Sequence, residues 1–213
     1  TVNRNGYMGF SVDLKPWICY GQENLIKIDV DNSNQPNSRW YTGSGIYRDV
    51  NLWTGKGVYI PHDEMKITTL SVNDDVAVVE VCANVKNTKE CGIEAKCYVE
   101  LIFEGKTVVT EKQNIVFYSG RKETVRVQIP VKCPKKWSTD HPNLYQCCVK
   151  TYIGDEICDE YTVDFGIRTL TLDPVNRFQI NGETVNLRGT CIHHDNGVIG
   201  AETFPEAEWY RCK

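Results

Sequence analysis

Long apolar runs are missing from this sequence, and so are clusters of basic residues. The apolar stretches are only as long as a β-strand, so no membrane-spanning helix and no membrane partner are expected. The chain has 24 lysine and arginine residues against 28 aspartate and glutamate residues, a formal net charge of −4. No local Lys/Arg cluster offsets this acidic balance, so a nucleic-acid partner is not expected either.

Cys-x-x-Cys pairs are also missing, although the chain contains ten cysteines. Structural zinc sites usually contain a Cys-x-x-Cys pair, so no metal or other cofactor is expected. Disulfide frameworks are typical of small secreted domains that cannot build a hydrophobic core. A chain of 213 residues is long enough to build such a core. Most of the cysteines lie within strand patterns, where a thiol packs as a small hydrophobe. We therefore predict reduced thiols and a cytoplasmic protein.

The middle of the chain, residues 62–168, has the alternation of a β-sandwich. Apolar and polar residues alternate along Ala77–Val85, Ala95–Phe103 and Val125–Ile129. Further strands are indicated near residues 66–72, 107–116, 144–153 and 157–165. Seven short strands over about 100 residues are typical of an immunoglobulin-like β-sandwich, so we predict a mainly β fold.

Antibody hallmarks are lacking in this predicted sandwich. Cys82 lies on the same strand face as Glu80 and Asn84, so its side chain is predicted to point away from the core. This argues against an intersheet disulfide at Cys82. Tyr145, two residues before Cys147, fits a tyrosine corner. It fits an ordinary core aromatic equally well, and the sequence leaves both interpretations open.

The first segment, residues 1–61, contains little regular pattern. Leu25–Val30 alternates as a half-buried strand would, and polar or glycine-rich stretches surround it. Two or three strands without a partner sheet would expose an apolar face, so this segment cannot close a sandwich alone. The chain also opens without an initiator Met or an apolar leader segment. We therefore expect it to begin inside a longer protein.

The last segment, residues 169–213, changes pattern again. Residues 170–180 read as an extended arm ending in Asn181-Gly182, a strong hairpin signal. Residues 184–192 predict a strand that stops at His193, and a helix is predicted to begin at Pro205. A strand, a polar loop and a helix start form one βα unit, which needs parallel neighbour strands to fold. We therefore expect this end also to continue into a larger structure.

Three parts of the sequence resemble glycoside hydrolase family 2, of the β-galactosidase type, and they occur in that family's order. Gln35–Val50 (QPNSRWYTGSGIYRDV) is similar to the end of the family's N-terminal sugar-binding jelly roll. Pro142–Tyr145 (PNLY) with Asp164–Arg168 (DFGIR) is similar to its immunoglobulin-like second domain. Phe178–Gly182 (FQING) with Leu187–Asp195 (LRGTCIHHD) is similar to the lead-in of its (β/α)₈ barrel.

This resemblance implies a division of the chain and a type of chemistry. Residues 1–61 would end the jelly roll, residues 62–168 would be the immunoglobulin-like domain, and residues 169–213 would begin the TIM barrel. The family implies a retaining β-glycosidase, in which two carboxylates about 5–5.5 Å apart act as acid/base and nucleophile. In the family both are glutamates on later barrel strands, and the acid/base follows an asparagine. No Asn-Glu dipeptide occurs here, so we expect no catalytic residue within this chain.

The glutamates near the C-terminus, Glu202, Glu206 and Glu208, have a simpler interpretation than catalysis. Charged residues are mostly exposed, so a solvated helix face is expected for them.

Two substrate-binding residues are implied by the resemblance, Asp49 and His193. Asp49 matches an aspartate that reaches from the jelly roll into the barrel mouth and holds sugar hydroxyls. The alternative is local, a pair with Arg48 or a turn cap. His193 matches a histidine at the C-terminal end of the first barrel strand, the face where such barrels place their sites. A buried structural histidine is its alternative.

The substrate implied is a terminal β-linked sugar. The sequences of Ser44–Val50 and Cys191–Asp195 favour galactose, although β-glucuronidase and β-mannosidase relatives share the layout. The expected partner is thus a β-galactoside or related sugar, bound by the full-length parent, and this chain alone is expected to be inactive. A stand-alone immunoglobulin-like module that binds carbohydrate or protein is the alternative, because fold alone does not fix function. The oligomeric state, a homo-oligomer included, stays open.

Overall fold

The structure, a computed structural model, divides the chain into two units. The sandwich unit is Asn51–Gly189, and the terminal unit combines Thr1–Val50 with Thr190–Lys213. The structure describes residues 2, 8–33, 44–46, 48–118, 120–193, 196–200, 202 and 204–213. No helix in these described stretches has the length and apolar character needed to cross a membrane.

Eight strands form the sandwich itself. In chain order they are β1 (Val58–Tyr59), β2 (Met65–Val72), β3 (Val76–Asn87), β4 (Ile93–Phe103), β5 (Lys106–Phe117), β6 (Lys122–Lys132), β7 (Tyr145–Ile153) and β8 (Glu156–Phe165). In one sheet β3 pairs antiparallel with β1, β2 and β6, and the other sheet has the order β5-β4-β7-β8. The predicted immunoglobulin-like β-sandwich is thereby confirmed, with β1 as a short addition.

The core lies between the two sheets and follows the alternation of the sequence. Every second residue of β3 is fully buried, and this stripe consists of Ala77, Val79, Val81, Ala83 and Val85. Buried residues of β4 and β7 belong to the same cluster. Burying one such valine contributes about 1.5–3 kcal/mol. Cys82 lies on the polar face as predicted, with its Sγ 3.6 Å from Glu80 Oε1, and all ten cysteines are free thiols.

Tyr145 satisfies both interpretations of its position. Its ring is buried, and the ring centroids of Phe103 and Phe165 lie 4.6 and 5.7 Å away. Its hydroxyl oxygen accepts a hydrogen bond from the backbone N–H of Lys135 at 2.9 Å. A core aromatic thus also makes the upstream backbone bond of a tyrosine corner.

A small three-stranded meander follows the sandwich, made of β9 (Leu170–Asp173), β10 (Arg177–Ile180) and β11 (Glu183–Thr184). The predicted hairpin is confirmed, since Asn181 and Gly182 have φ values of 53° and 82°. The predicted extended arm is in fact two strands. Between them Asp173 Oδ1 accepts hydrogen bonds from the backbone N–H groups of Val175 and Asn176 at 2.8 and 2.6 Å, which closes a turn.

Two predicted strands do not form. Residues 25–30 are exposed and have no strand structure, and the strand predicted at 184–192 ends with β11 at Thr184. Strands require hydrogen-bonded neighbours, and the structure pairs no described strand with either segment beyond β11. The helix predicted from Pro205 is confirmed as α1 (Pro205–Cys212), and a short 3₁₀ turn, Gly197–Ile199, precedes it.

Trp137 fixes the position where the chain leaves the sandwich. Its backbone N–H donates to the carbonyl of Ile167 at 2.9 Å, and its carbonyl accepts from Asn181 Nδ2 at 2.9 Å. The Arg168 guanidinium lies 4.3 Å from the Trp137 ring centroid. A Cβ added at Gly166 would lie 2.7 Å from Trp137 Cβ, so only glycine fits there. These contacts, which we call the Trp137 junction, hold the meander against the sandwich.

Gly166→Ala is expected to destabilise the sandwich unit. The added methyl would overlap the Trp137 side chain, and overpacking of this kind costs about 1–3 kcal/mol. The measurement is the urea midpoint of the chain, followed by far-ultraviolet circular dichroism. Gly189→Ala is the control, because nothing lies within 4 Å of its new Cβ. Equal midpoints for the two variants would contradict the tight contact at Gly166.

The buried thiols of Cys97 and Cys147 are expected to make stability depend on alkaline pH. Burial raises the pKa of each from 9.0 to about 12, because a buried thiolate loses its hydration. A pKa raised by folding gives stability that is fully present below pH 9 and lost as the pH rises towards 12.

We expect the wild type to lose about 1–2 kcal/mol of unfolding free energy per thiol between about pH 8 and about pH 10.5. The reference is the double variant Cys97→Ala/Cys147→Ala, which keeps every other titrating group. Urea unfolding of both proteins at the two pH values measures the difference. If both lost the same free energy, the thiols would ionise as easily in the folded chain as in the unfolded one.

Candidate functional site

Asp49 and His193 lie in the same unit. They come from opposite ends of the chain, and the terminal unit contains both. Both residues are exposed, and neither belongs to a helix or a strand. Both interpretations of His193, as a sugar ligand and as a structural histidine, stay predictions. Exposed carboxylate and imidazole groups are suited to hydrogen bonding with sugar hydroxyls.

Helix α1, which contacts His193, is specified by signals in its own sequence. Pro205 occupies the start of the helix, where its missing N–H costs nothing. Glu206 and Glu208 lie in the first turn and Arg211 in the last, so their charges complement the helix dipole. No residue of α1 is buried within the chain, so these local effects are what stabilise the helix here.

Arg211 connects this helix to the segment that contains His193. Its Nη2 donates to the carbonyl oxygen of His193 at 2.8 Å, and its Nη1 donates to Asn196 Oδ1 at 2.7 Å. The same Nη1 lies 3.3 Å from Glu208 Oε1, which also accepts from Asn196 Nδ2 at 3.3 Å. Asn196 Nδ2 donates to the Glu202 carbonyl at 2.7 Å. We call Arg211, Asn196 and Glu208 the Arg211 network.

The sequence interpretation of this region missed part of the network. Glu206 is exposed on α1, as a solvated helix face requires, whereas Glu202 is exposed but lies before the helix begins. Glu208 differs, because it is half-buried and paired with Arg211. The signal available was the i, i+3 spacing of Glu208 and Arg211 on one helix face. Asn196 carries no comparable signal, because its contacts depend on how the loop folds back onto α1.

A second polar and aromatic cluster lies on the sandwich unit. The rings of Trp53 and His62 stack with centroids 4.5 Å apart, and Tyr161 Oη lies 3.2 Å from His62 Nδ1. The backbone N–H of Ile60 donates to Asp159 Oδ2 at 2.7 Å. These contacts attach the segment before β2 to β8, the edge strand of its sheet. They cover an edge that would otherwise be open to pairing with another chain.

Other surface features of the sandwich lack the residues implied by the resemblance. One open depression of about 280 Å³ is lined by Lys96, Tyr98, Glu100, Tyr152, Gly154 and Asp155. In the part of the chain that the structure describes, no group of three or more His, Cys, Asp or Glu residues could hold a metal ion. Residues 35–43 and 47 of the first resembling part, and His194 and Asp195 of the third, lie outside the described residues.

Known proteins resemble this chain in sequence. The family model of glycosyl hydrolases family 2 matches residues 58–168. A β-galactosidase of Bacteroides ovatus is 34% identical over 201 residues, which are 94% of this chain and 24% of the relative. A putative β-glucuronidase of Formosa agariphila is also 34% identical, over 206 residues, covering 96% of this chain and 19% of the relative.

Solved structures resemble this chain in fold. A glycosyl hydrolase family 2 member from Bacteroides cellulosilyticus superposes with a TM-score of 0.78 at 32% identity, covering 86% of this chain and 25% of that chain. A β-glucuronidase of Bacteroides uniformis has a TM-score of 0.72 at 24% identity, with 85% and 23% covered. The chain spans about a quarter or less of the length of these relatives.

Proposed function

This chain belongs to glycosyl hydrolase family 2, and we propose that it is part of a retaining β-glycosidase that hydrolyses terminal β-linked sugars. Galactose is the sugar that we favour, because of the sequences of Ser44–Val50 and Cys191–Asp195. The relatives include a β-galactosidase and a putative β-glucuronidase of equal identity. Initial rates of the full-length protein on 4-nitrophenyl β-galactoside and 4-nitrophenyl β-glucuronide decide between the two sugars.

The observation that supports this proposal most is the presence of Asp49 and His193 in one unit. The expected site requires an aspartate from the first domain beside a histidine from the barrel lead-in. An ionised carboxylate accepts strong hydrogen bonds from two adjacent sugar hydroxyls. An imidazole can donate from one ring nitrogen and accept at the other, so it can complete the recognition of a sugar hydroxyl.

In this proposal the chain binds and orients the sugar, and the chemical step belongs to residues outside it. A retaining mechanism needs two carboxylates about 5–5.5 Å apart, and we propose that neither is present here. Residues 1–61, 62–168 and 169–213 then act as the end of a jelly roll, an immunoglobulin-like spacer and the barrel lead-in. Binding energy from Asp49 and His193 raises the rate only where it is stronger in the transition state.

Substitution of the two proposed sugar ligands tests this assignment. In the full-length protein, Asp49→Ala and His193→Ala are each expected to lower kcat/KM for an aryl β-galactoside by about tenfold or more, because each removes a hydrogen bond to the glycon. Asp29→Ala and His141→Ala, at exposed residues outside the proposed site, are the matched controls. A change below about threefold, under about 1 kcal/mol of transition-state binding, would remove either residue from the site.

The 213-residue chain alone is expected to show no turnover of an aryl β-galactoside. Calorimetric titration of this chain with galactose and lactose is expected to show no tight binding, because most of the proposed sugar site lies outside it. Measurable turnover would contradict the absence of the catalytic pair. Tight binding without turnover would instead favour a stand-alone carbohydrate-binding module.

A further inference from the structure

The Arg211 side chain holds the main chain of His193 through a hydrogen bond. Residues 186–193 have neither helix nor strand, so no regular hydrogen-bond ladder fixes this backbone. The bond from Arg211 Nη2 to the His193 carbonyl, at 2.8 Å, fixes the peptide that follows the imidazole-bearing Cα. This bond links the backbone that carries the imidazole to helix α1.

Arg211 is itself held at two further places. Its Nη1 donates to Asn196 Oδ1 at 2.7 Å and lies 3.3 Å from Glu208 Oε1. Its side chain is 29% exposed and that of Glu208 34%, so solvent screens this pair only in part. Asn196 is tied back to the loop, since its backbone N–H donates to the Gly200 carbonyl at 2.8 Å. One guanidinium thus connects α1, the loop and the His193 backbone.

Arginine is the residue type that this arrangement requires. The guanidinium is a rigid plane whose several N–H groups donate in fixed directions at the same time. Here the two terminal nitrogens of one guanidinium serve acceptors on three residues: Nη2 donates to His193, and Nη1 donates to Asn196 and Glu208. A lysine ammonium is a compact point charge on a flexible stem, so it can keep the charge but cannot reproduce the rigid fork.

We propose that Arg211 is a positioning residue for His193, which it orients through the His193 carbonyl towards the sugar. This inference rests on the proposed function, because it gives His193 the role of a sugar ligand. Arg211 does not touch the substrate in this account. Its effect on catalysis passes entirely through the placement of the imidazole, and a misplacement of about 1 Å can cost about 100-fold in rate.

A double-mutant cycle in the full-length protein tests this route. Arg211→Met and Arg211→Lys are each expected to lower kcat/KM for 4-nitrophenyl β-galactoside by about 10- to 100-fold. Lys213→Met, which removes a cation near the same helix end, is expected to stay within about twofold. In a His193→Ala background, Arg211→Met is expected to add less than about twofold, because the residue it acts through is gone.

The outcomes separate this inference from the proposed function. If Arg211→Met costs the same factor with and without His193, the positioning role is wrong while the sugar-binding role of His193 stands. Full rescue by Arg211→Lys would likewise overturn it, because charge alone would then suffice. If His193→Ala itself changes nothing, the proposed role of His193 fails, and the inference fails with it.

Hydrogen exchange of the 213-residue chain gives a readout independent of activity. Arg211→Lys is expected to speed amide exchange in residues 190–200 and to leave β3 and β7 unchanged, because only the loop loses its anchor. Unchanged exchange in residues 190–200 would overturn the positioning role, even where Arg211→Met failed to accumulate as a folded protein.

Discussion

The rest of the sandwich depends on the stripe of small apolar residues along β3. Its alternate residues from Ala77 to Val85 are fully buried, and β3 pairs with β6 on one side and with β2 and β1 on the other. Buried residues of β4 and β7 pack with this stripe in one hydrophobic cluster. Hydrophobic contact and hydrogen bonding act on the same strand. The register of β3 therefore determines which side chains of its paired strands point into the core.

Whether an element could be predicted from the sequence depends on where the residues that it pairs with lie. The sandwich strands and the Asn181-Gly182 hairpin were predicted correctly, because period-two alternation and turn chemistry are local properties. The strands predicted at 25–30 and 184–192 were wrong, because alternation says nothing about whether a pairing strand is present. The turn at Asp173 was missed because the apolar residues on both sides of it were read as one arm.

The candidate site also has residues that the sequence identified and contacts that it could not predict. Asp49 and His193 were named from the resemblance, and their roles remain predictions. The Arg211 network could not be predicted in full, because Arg211 meets Asn196 across 15 positions and His193 across 18. Such contacts depend on the angle at which a loop returns to a helix. No periodic pattern in the sequence encodes that angle.

The Asn181-Gly182 turn has a consequence for the chemical ageing of the protein. Asn-Gly sequences are prone to deamidation, because the unhindered glycine N–H can attack the asparagine side chain. Here the Asn181 amide is engaged, since Nδ2 donates to the Trp137 carbonyl and Oδ1 accepts from the Thr169 N–H at 3.1 Å. A carboxylate formed at this position could not donate to Trp137. Deamidation would therefore remove the hydrogen bond from Asn181 to Trp137, and the contacts that engage the amide slow the reaction that would break this bond.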